Sequence, residues 1–546
     1  MNSQVLLLRE NDHESKYSSP NQLIHTNFLK MVEKFPNAIA LMIGIQEWTY
    51  SDVKRISSKW ASVVINNSER QLKRIGILGY RSEVSYLGIL TSLFTGAAFV
   101  PLNPNFPLER TSKMAELASL DAIIVGEESV DYFHQLAKLN DTIAPLVLFP
   151  NTSIDTGKFK MNVLDQQDVH LSNYKLEEVE CSEKSIAYLL FTSGSTGEPK
   201  GVAINHTNVV HYLEINQQKY QITPQDRLTQ TFDQTFDLAI FDMFMAWSNG
   251  ATVCAMQPIE LLSPIRFIEE KKVTVWFSVP SLVTLLRKQK LLKEGALASL
   301  RLSLFCGEPL HKSTVDAWQV AAPNSVIENL YGPTELTISC SSYRWTKGTS
   351  ENECLNQIVP IGKINSGLDF LIIDEKQQPV KEGEIGELCV SGPQNSPGYW
   401  CNYQLVESDT FKYTNAKGEE VSYYRTGDQV VMLPTGNIAY IGRLDKQVKI
   451  KGYRVDCGEI EGLISEQNGV LSVAVVPRLV KEGEVNGLVA YIVGENINSE
   501  SIFQSLRVKL PSYMIPESIR IIEKMPLNVN GKIDRNKLQK ITKGSI

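Results

Sequence analysis

The stretch from residue 189 to residue 201 constrains this chain most, because an apolar run ends there in hydroxyls, glycines and one lysine. Residues 185–191 predict a buried strand, since they place apolar groups on both faces. In the loop that follows, glycines bring backbone N–H groups close to an anion, and Lys200 adds positive charge. The stretch therefore predicts an anion-binding loop after a strand. The residues of this loop that we expect to contact an anion are Thr192, Ser193, Gly194, Ser195, Thr196, Gly197 and Lys200.

Two alternatives exist for this loop. The P-loop of nucleoside triphosphatases requires glycine, four residues, and then Gly-Lys followed by serine or threonine. Counting from Gly194, the fifth residue is Pro199, and Lys200 is followed by Gly201, so the spacing excludes a P-loop. A surface turn rich in serine and glycine would explain any four of these residues, but it does not explain the whole stretch.

Composition limits the class of protein. A chain of 546 residues is too long for one hydrophobic core, so we expect at least two domains. A net charge of -7 argues against nucleic-acid binding as the main activity. We find no signal peptide and no apolar run long enough to span a bilayer, and we expect a cytoplasmic protein with no membrane partner. The eight cysteines form no CxxC pair, which indicates reduced core residues.

The first part of the chain alternates between strand and helix patterns. Strands are predicted at 75–78, 97–102 and 122–125, with helices at 83–94 and 108–117 between them. This rhythm is typical of an α/β fold with a mostly parallel sheet covered by helices on both faces. Another helix is predicted over 201–220, directly after the anion-binding loop.

The later part of the chain changes character. From about residue 358 to residue 444, short alternating strands with glycine turns predict a small β-rich subdomain. Residues 445–546 predict a separate small α+β domain. We therefore expect a large N-terminal domain over 1–444, built from layered, mostly parallel sheets with helices, followed by a small mobile domain.

Four further motifs follow the loop in order, at 329–337, 424–428, 442–454 and 526–535. Together with the loop they resemble the signature motifs of the adenylate-forming superfamily, which comprises acyl-CoA synthetases, luciferases and the amino-acid-activating domains of nonribosomal peptide synthetases. The resemblance covers roughly residues 20 to 540. It implies ATP and Mg²⁺ as cofactors and the formation of an acyl adenylate with release of pyrophosphate.

The resemblance also implies residue roles. The catalytic residues would be Lys532, Glu335, Thr192 and Lys449, with Mg²⁺ on Glu335 and the domain hinge at Asp445. Besides the loop and Lys532, the ATP-binding residues would be Asn329, Tyr331, Gly332, Thr334, Asp428 and Arg443. Each has a structural alternative: Tyr331 as a core aromatic, Glu335 as a helix cap, Asp428 as a hairpin turn residue and Lys532 as an ordinary hairpin lysine.

In amino-acid-activating members of the superfamily, an aspartate at the position of Asp237 binds the substrate ammonium; the alternative for Asp237 is a helix cap. Aligned to the family, the substrate pocket would consist of Asp237, Leu238, Phe241, Phe277, Leu304, Cys306, Gly307, Leu330, Ile338, Ser339 and Lys532. Phe277 is placed to within one residue. The lining is apolar between Asp237 and Lys532, which fits a small neutral amino acid.

The order of pocket residues resembles that of free-standing prolyl-carrier-protein ligases, so proline is the favoured substrate, with valine, alanine and pipecolate as alternatives. Only fourteen residues follow Lys532, so we expect the phosphopantetheinylated carrier protein to be a separate partner.

Three other functions remain: an acyl-CoA synthetase, which would not need Asp237; a D-alanine-carrier ligase, which would need a tighter pocket; and a noncatalytic nucleotide sensor, which would have lost Lys532 or Glu335.

Overall fold

We analysed a computed structural model of the chain, which describes residues 22–173, 175–176, 179–193, 199–401, 404–408, 410–415, 418–479, 485–527 and 533–543. Its α-helices are α1 (Thr26–Lys34), α2 (Tyr50–Asn66), α3 (Glu83–Phe94), α4 (Leu108–Ala118), α5 (Val130–Leu139), α6 (Gln166–Leu171), α7 (His206–Tyr220), α8 (Leu238–Trp247), α9 (Pro264–Lys271), α10 (Pro280–Lys288), α11 (Lys312–Ala321), α12 (Cys457–Ser465), α13 (Ser499–Lys509) and α14 (Arg535–Lys543).

The strands of the large lobe before residue 358 are β1 (Ile39–Ile43), β2 (Gln46–Thr49), β3 (Arg74–Leu78), β4 (Ala98–Leu102), β5 (Ala122–Val125), β6 (Leu146–Leu148), β7 (Asn162–Leu164), β8 (Ile186–Thr192), β9 (Lys200–Asn205), β10 (Arg227–Gln230), β11 (Thr252–Ala255), β12 (Val275–Ser278), β13 (Leu302–Phe305), β14 (Val326–Tyr331) and β15 (Ser341–Arg344). The later strands are β16 (Lys363–Ile364), β17 (Asp369–Ile373), β18 (Ile385–Ser391), β19 (Gly398–Cys401), β20 (Gln404–Val406), β21 (Thr410–Thr414), β22 (Glu420–Met432), β23 (Ile438–Arg443), β24 (Gln447–Ile450), β25 (Tyr453–Asp456), β26 (Val470–Leu479), β27 (Val485–Gly494) and β28 (Ser518–Ile521).

Two large sheets form the first part of the fold. Among the described strands, one sheet has the order β16-β15-β14-β13-β12-β10-β11-β1-β2 and the other the order β20-β19-β9-β8-β4-β3-β5-β6-β7. The pairs from β14 to β1 in the first sheet and from β8 to β7 in the second are parallel. The expected α/β class with mostly parallel sheets is therefore confirmed.

Helices cover both faces of these sheets, because the parallel strands are apolar on both sides. Apolar residues of α2, α3, α7 and α8 form one core between the two sheets. Helices α9, α10 and α11 pack on the outer face of the first sheet, and α4 and α5 pack on the outer face of the second. The layer between the sheets contains the apolar residues that the sequence assigned to a substrate pocket.

The helix predicted over 201–220 is wrong at its start. Residues 200–205 form β9, which pairs antiparallel with β8, and α7 begins at His206. β9 is buried by β8 on one side and β19 on the other, so tertiary pairing decides its conformation. The anion-binding loop thus connects two antiparallel strands and is not followed directly by a helix.

A smaller sheet, β17-β18-β22-β21 with β23 paired to β22, follows the large sheets. The motif at 424–428 lies inside the long strand β22, so Asp428 is not a hairpin turn residue. After Arg443 come the β24–β25 hairpin and a three-stranded sheet of β26, β27 and β28 among the described residues. α12, α13 and the hairpin share one apolar cluster on that sheet, so the hairpin packs as part of the small lobe.

No helix among the described residues combines the length and apolarity needed to cross a bilayer.

Candidate active site

A cavity lies at the carboxyl end of β14. Its walls include Asn329, Tyr331, Asp428 and Arg443, four residues that sequence analysis assigned to ATP binding. Lys449, from the β24–β25 hairpin, closes one side. Ligands of open α/β sheets bind at the carboxyl ends of strands, and the position of this cavity agrees with that rule.

Asp428 is held in place by two donors. The Tyr331 hydroxyl donates to its Oδ2 at 2.5 Å, and the Arg443 guanidinium donates to its Oδ1 at 2.8 Å. Burial raises the pKa of Asp428, while the Arg443 charge opposes that rise. An ionised carboxylate offers only acceptor positions, which suits a pair of neighbouring hydroxyls.

Asn329 presents an oriented amide. Its Nδ2 donates to the carbonyl oxygens of Pro360 at 2.9 Å and of Val359 at 3.3 Å. Because these bonds use the amide hydrogens, the carbonyl oxygen of the side chain is the group that can accept from a ligand.

A second cavity lies beside the first. Thr192 and Ser193 from the end of β8, Asp237 and Cys306 are among its walls. Four residues border both cavities: Gly332, Gly307, Lys449 and Arg454. The two spaces therefore meet at the β24–β25 hairpin, which places Lys449 between them.

Asp237 precedes α8 but does not cap it. Its φ of -63° is helical, and its side chain makes no capping hydrogen bond. Burial raises the pKa of Asp237 to about 6, against the opposing influence of the Lys449 charge and the Thr334 hydroxyl. Because a buried carboxylate requires compensating partners, a carboxylate in a cavity wall is a suitable group to bind a cationic ligand.

Lys449 lies in a region rich in charge. Burial lowers its pKa, and the neighbouring Arg454 charge acts in the same direction, while Asp237 opposes both. A lysine placed between two cavities, with a depressed pKa, is a candidate for direct contact with reacting groups.

Glu335 is bound by the hairpin in this arrangement. Arg454 Nη1 lies 2.9 Å from both carboxylate oxygens, and the Tyr399 hydroxyl donates to Oε1 at 2.8 Å. Burial alone would raise the pKa of Glu335, but the Arg454 charge together with hydrogen bonds from its own N–H and from Tyr399 and Tyr424 outweighs burial, and the pKa is lowered. Glu335 lies in a short 3₁₀ turn, and its carboxylate binds side chains of other segments, so the helix-cap alternative is not what the structure shows.

Ser193 also contacts the hairpin. Its hydroxyl donates to the Arg454 carbonyl at 2.7 Å and accepts from the Asp456 N–H at 3.1 Å. Lys200 lies with its Nζ 5.7 Å from the centre of the Tyr399 ring. While the hairpin is docked in this position, Ser193 of the anion-binding loop is therefore hydrogen-bonded to the backbone of the hairpin.

The apolar pocket residues come together in the layer between the two sheets. Those in the shared core are Leu238, Phe241, Phe277, Leu304, Cys306, Leu330 and Ile338. Strand parity fixes Phe277, because Trp276 packs in the core on the opposite face of the sheet. Ser339 joins the group through a contact of 3.0 Å between its Oγ and the Tyr212 hydroxyl.

Aromatic rings pack against one another within this apolar group. The centroids of Phe241 and Phe277 are 5.1 Å apart, and those of Phe232 and Phe277 are 4.9 Å apart. Of the assigned apolar residues, Leu238 and Cys306 border the second cavity, whereas Phe241, Phe277 and Leu304 are fully buried and do not line it. Leu238 and Cys306 are therefore the assigned apolar residues that share a cavity wall with Asp237.

Asp242, one turn further along α8, is fully buried. Sequence analysis did not assign it to the site, and the structure excludes a water-facing position for it. Burial raises its pKa well above the usual range for an aspartate, which favours the neutral acid.

Several assigned residues lie outside the part of the chain that the structure describes: Gly194, Ser195, Thr196, Gly197 and Lys532. Asp445, the expected hinge, accepts from Arg443 at 2.7 and 2.6 Å and from the Gln447 N–H at 3.0 Å. Among the described residues, no group of three or more histidine, cysteine, aspartate or glutamate side chains is arranged to hold a metal.

Sequence analysis missed Arg454, Glu308 and Tyr399. Arg454 stands inside one of the recognised motifs, but nothing in its sequence context indicates a partner 119 positions away. Glu308 accepts from the Gly452 N–H at 2.8 Å and from the Ser281 N–H at 2.9 Å, and it thereby ties the hairpin to the large lobe. These contacts join distant segments, so local sequence carries no signal for them.

Comparisons with known proteins agree with this site. The model of the AMP-binding enzyme family matches residues 28–400, and the model of the AMP-binding enzyme C-terminal domain matches residues 459–532. Zwittermicin A synthase ZmaJ of Bacillus cereus is 31% identical over 522 residues, which are 94% of this chain and 93% of that protein. Gramicidin S synthase 1 of Brevibacillus brevis is 28% identical over 535 residues, which are 97% of this chain but only 45% of that protein. Other similar proteins are much larger synthases, and the chain spans 10% and 19% of the length of two of them.

Solved structures show the same architecture. The Vibrio cholerae adenylation domain AlmE, in complex with glycyl-adenosine-5'-phosphate, superposes with a TM-score of 0.82 at 27% identity, covering 96% of this chain and 99% of that one. IdnL7 superposes with a TM-score of 0.69 at 32% identity, covering 95% and 99% of the two chains.

Proposed function

Because this chain belongs to the family of AMP-binding enzymes, we propose that it activates a small neutral amino acid, L-proline in the first place, as an aminoacyl adenylate. It then transfers the aminoacyl group to the phosphopantetheine thiol of a separate carrier protein. The observation that carries the proposal is the buried Asp237 carboxylate in the wall of a cavity that meets the Tyr331–Asp428 cavity at Lys449.

An amino acid is favoured over a simple carboxylic acid by Asp237. A buried carboxylate needs a partner, and the substrate ammonium supplies one through a charge-assisted hydrogen bond. An acyl-CoA synthetase has no cation to place there. The glycyl adenylate named for the AlmE complex supports aminoacyl adenylation as the chemistry of this architecture.

The packing of the assigned pocket residues supports a small substrate. Phe241 and Phe277 are fully buried and pack against each other, so entry of a side chain such as that of tryptophan between them would require both rings to move. Displacing well-packed core side chains is unfavourable. The compact, apolar ring of proline suits the remaining surface, formed by Leu238 and Cys306 next to Asp237.

In the adenylation step, an oxygen of the substrate carboxylate attacks the α-phosphorus of ATP, and the bond to the bridging oxygen of pyrophosphate breaks. Both reactants are anions, so the protein contributes mainly orientation and positive charge. Asp428 would accept from the ribose hydroxyls, Asn329 and Tyr331 would hold adenine, and the loop that starts at Thr192 would bind the departing phosphates. Lys532 would supply positive charge beside the attacking oxygen.

Mg²⁺ fits the carboxylate of Glu335, because this ion takes one or two carboxylates and completes its shell with phosphate oxygens and water. When bound, it would neutralise charge on the ATP phosphates. Arg454 occupies both oxygens of Glu335 here. The ion and Arg454 of the docked hairpin therefore require the same carboxylate, and we infer that they bind it at different stages of the reaction.

In the transfer step, the thiol sulfur attacks the carbonyl carbon of the adenylate. The C–S bond forms, the C–O bond to the phosphate breaks, AMP leaves, and the thiol proton passes to solvent. Lys449 lies between the two cavities, where its charge would stabilise the leaving phosphate. We therefore assign the arrangement with the docked hairpin to the second step. In that step Lys449 would have the role that Lys532 would have in the first.

Amino-acid-dependent ATP–pyrophosphate exchange tests the proposal. The panel consists of the twenty common amino acids, pipecolate and several carboxylic acids without an amine, each measured with the purified protein and Mg²⁺. We expect proline to give the strongest exchange and amine-free acids to give none above the background without substrate. Exchange with a fatty or aryl acid but with no amino acid would contradict the proposal.

A further inference from the structure

A buried ion pair joins the two lobes of the molecule. Arg110, in the first turn of α4 in the large lobe, places its Nη1 2.7 Å from Oε1 of Glu459, in the first turn of α12 in the small lobe. The two side chains are 6% and 1% exposed. Arg110 also borders the second cavity, whereas Glu459 is not among the residues that line either cavity.

The burial of this pair depends on how the lobes meet. α12 belongs to the apolar cluster of the small lobe, whereas α4 packs on the second large sheet. Further contacts cross at the same interface: Gly452 donates to Glu308, and the rings of Phe106 and Tyr513 lie 6.3 Å apart. Separating the lobes would return both charges to water.

The small lobe carries two different faces. The hairpin, α12 and α13 cover one face of its sheet, through Val475 and its neighbours. Ile533, the residue after Lys532, packs on the other face with Val476 and Leu538. Bringing the segment around Ile533 to the active site therefore requires the lobe to turn, and this turn would break the contact between Arg110 and Glu459.

We propose that Arg110 and Glu459 are positioning residues that favour the domain arrangement of the thioester-forming step. The proposal rests on the proposed function and adds to it the pair that holds the hairpin in the site. Two oppositely charged groups can be buried together, whereas one left alone resists burial. Removing the Glu459 charge therefore disfavours the docked arrangement without changing a residue of either cavity wall.

The chain offers a matched control on the same helix. Glu461 is also buried, but its partners are the Val475 N–H, Lys446 and Arg535, all in the small lobe. Comparison of Glu459→Gln with Glu461→Gln separates loss of the bond between the lobes from loss of a buried carboxylate in α12.

The experiment measures both half-reactions in each variant, with proline as substrate and pantetheine as the acceptor thiol. We expect Glu459→Gln to keep ATP–pyrophosphate exchange within about twofold of the wild type and to lose about tenfold in thioester formation, a change equivalent to about 1.4 kcal/mol. In Glu461→Gln, we expect the two rates to change by the same factor. Equal losses in both half-reactions of Glu459→Gln, or no loss in thioester formation, would overturn the proposal.

A double variant tests whether the residues act through each other. We expect Arg110→Gln combined with Glu459→Gln to lose no more thioester formation than the more impaired single variant, because neither charge is then left alone. Additive losses would show that the two side chains act independently, and this result would overturn the proposed pair.

Amide hydrogen exchange provides a readout that needs no activity. With the hairpin docked, Gly452 donates to Glu308, and we expect amides of residues 447–456 to exchange about tenfold faster in Glu459→Gln than in Glu461→Gln. Equal protection in the two variants would overturn the proposal. If the wild type shows neither exchange with any acid nor thioester formation, the proposed function fails, and hydrogen exchange alone decides the role of the pair.

Discussion

The adenosine cavity and the reaction centre are built differently. The contacts that orient Asn329, Tyr331 and Asp428 all come from residues up to Arg443, that is, from the large lobe. At the reaction centre, by contrast, Glu335 and Ser193 of the large lobe bind the hairpin of the small lobe. The side chains assigned to adenosine are thus oriented within a single lobe, although Lys449 closes one side of their cavity, whereas the contacts of the reaction centre are shared by both lobes.

This difference has a physical consequence. Side chains that are oriented by contacts within one packed lobe keep their positions when the lobes move, because those contacts move with them. A centre shared by two lobes can contain a different cationic side chain in each arrangement of the lobes. This is because each arrangement brings a different segment of the small lobe to the same carboxylates. Variants of the shared centre should therefore separate the half-reactions, whereas variants of the adenosine cavity should weaken ATP binding.

The largest effect is expected from the two lysines of the small lobe. Lys532→Ala should lose about 10²–10³-fold in ATP–pyrophosphate exchange while still binding ATP, because it removes the cation beside the attacking carboxylate. Lys449→Ala should show its larger loss in thioester formation. Single-turnover measurements of adenylate and thioester formation distinguish the two.

Lys451→Ala is the control for this pair, because Lys451 is exposed at the tip of the same hairpin. We expect it to behave like the wild type in both steps. If Lys532→Ala showed wild-type pyrophosphate exchange, Lys532 would have no role in the first step. This result would contradict the contrast between the shared reaction centre and the adenosine cavity.

The next effect concerns Asp237. Asp237→Asn should raise the KM for the amino acid about 100-fold, because the loss of a hydrogen bond between charged, buried groups costs about 3 kcal/mol. The KM for ATP should stay near the wild-type value. Asp242→Asn is a matched control on the adjoining helix, since burial already favours the neutral form of Asp242. A rise in both KM values would show that Asp237 serves the structure of the site instead of the substrate ammonium.

A smaller effect is expected in the adenosine cavity. Asp428→Asn should raise the KM for ATP about tenfold, since an amide accepts less strongly than a carboxylate from the ribose hydroxyls. Adenylate and thioester formation at saturating ATP should change in parallel. Asp369→Asn is the control, because Asp369 also accepts from a tyrosine hydroxyl, that of Tyr423, but lies away from the cavity. If Asp428→Asn affected adenylate formation and thioester formation unequally, this would contradict the conclusion that the adenosine cavity binds the nucleotide in both half-reactions.

The smallest effect is the pH dependence. The pKa of Asp237 is raised to about 6, so in the free enzyme the side chain is ionised above that pH and protonated below it. Binding of the ammonium requires the ionised form, and kcat/KM for the amino acid should fall about tenfold between pH 6.5 and pH 5. Asp237→Asn should abolish this dependence. A wild-type profile that is flat over this range would show that Asp237 does not bind the ammonium.

Much of the fold was predictable because its signals are local. The strand before the anion-binding loop and helix α3 were predicted within one residue of their observed bounds, since apolar periodicity and caps act over a few residues. Strand β9 was not, because its conformation depends on pairing with β8 and β19. The apolar residues assigned to the candidate pocket share one core, in which Phe277 is the member from β12 because Trp276 lies on the opposite face; their role in substrate binding stays a prediction.

By itself, the sequence determined the α/β class, the order of motifs and the residue types that point to adenylate chemistry, because these properties depend on local patterns and side-chain chemistry. Only the tertiary structure decided which cation of the small lobe lies in the site, that Arg454 binds Glu335, and that Arg110 and Glu459 are buried against each other. Such contacts join segments more than one hundred residues apart. Their free energy depends on how two folded lobes meet, and this information is absent from any single stretch of the chain.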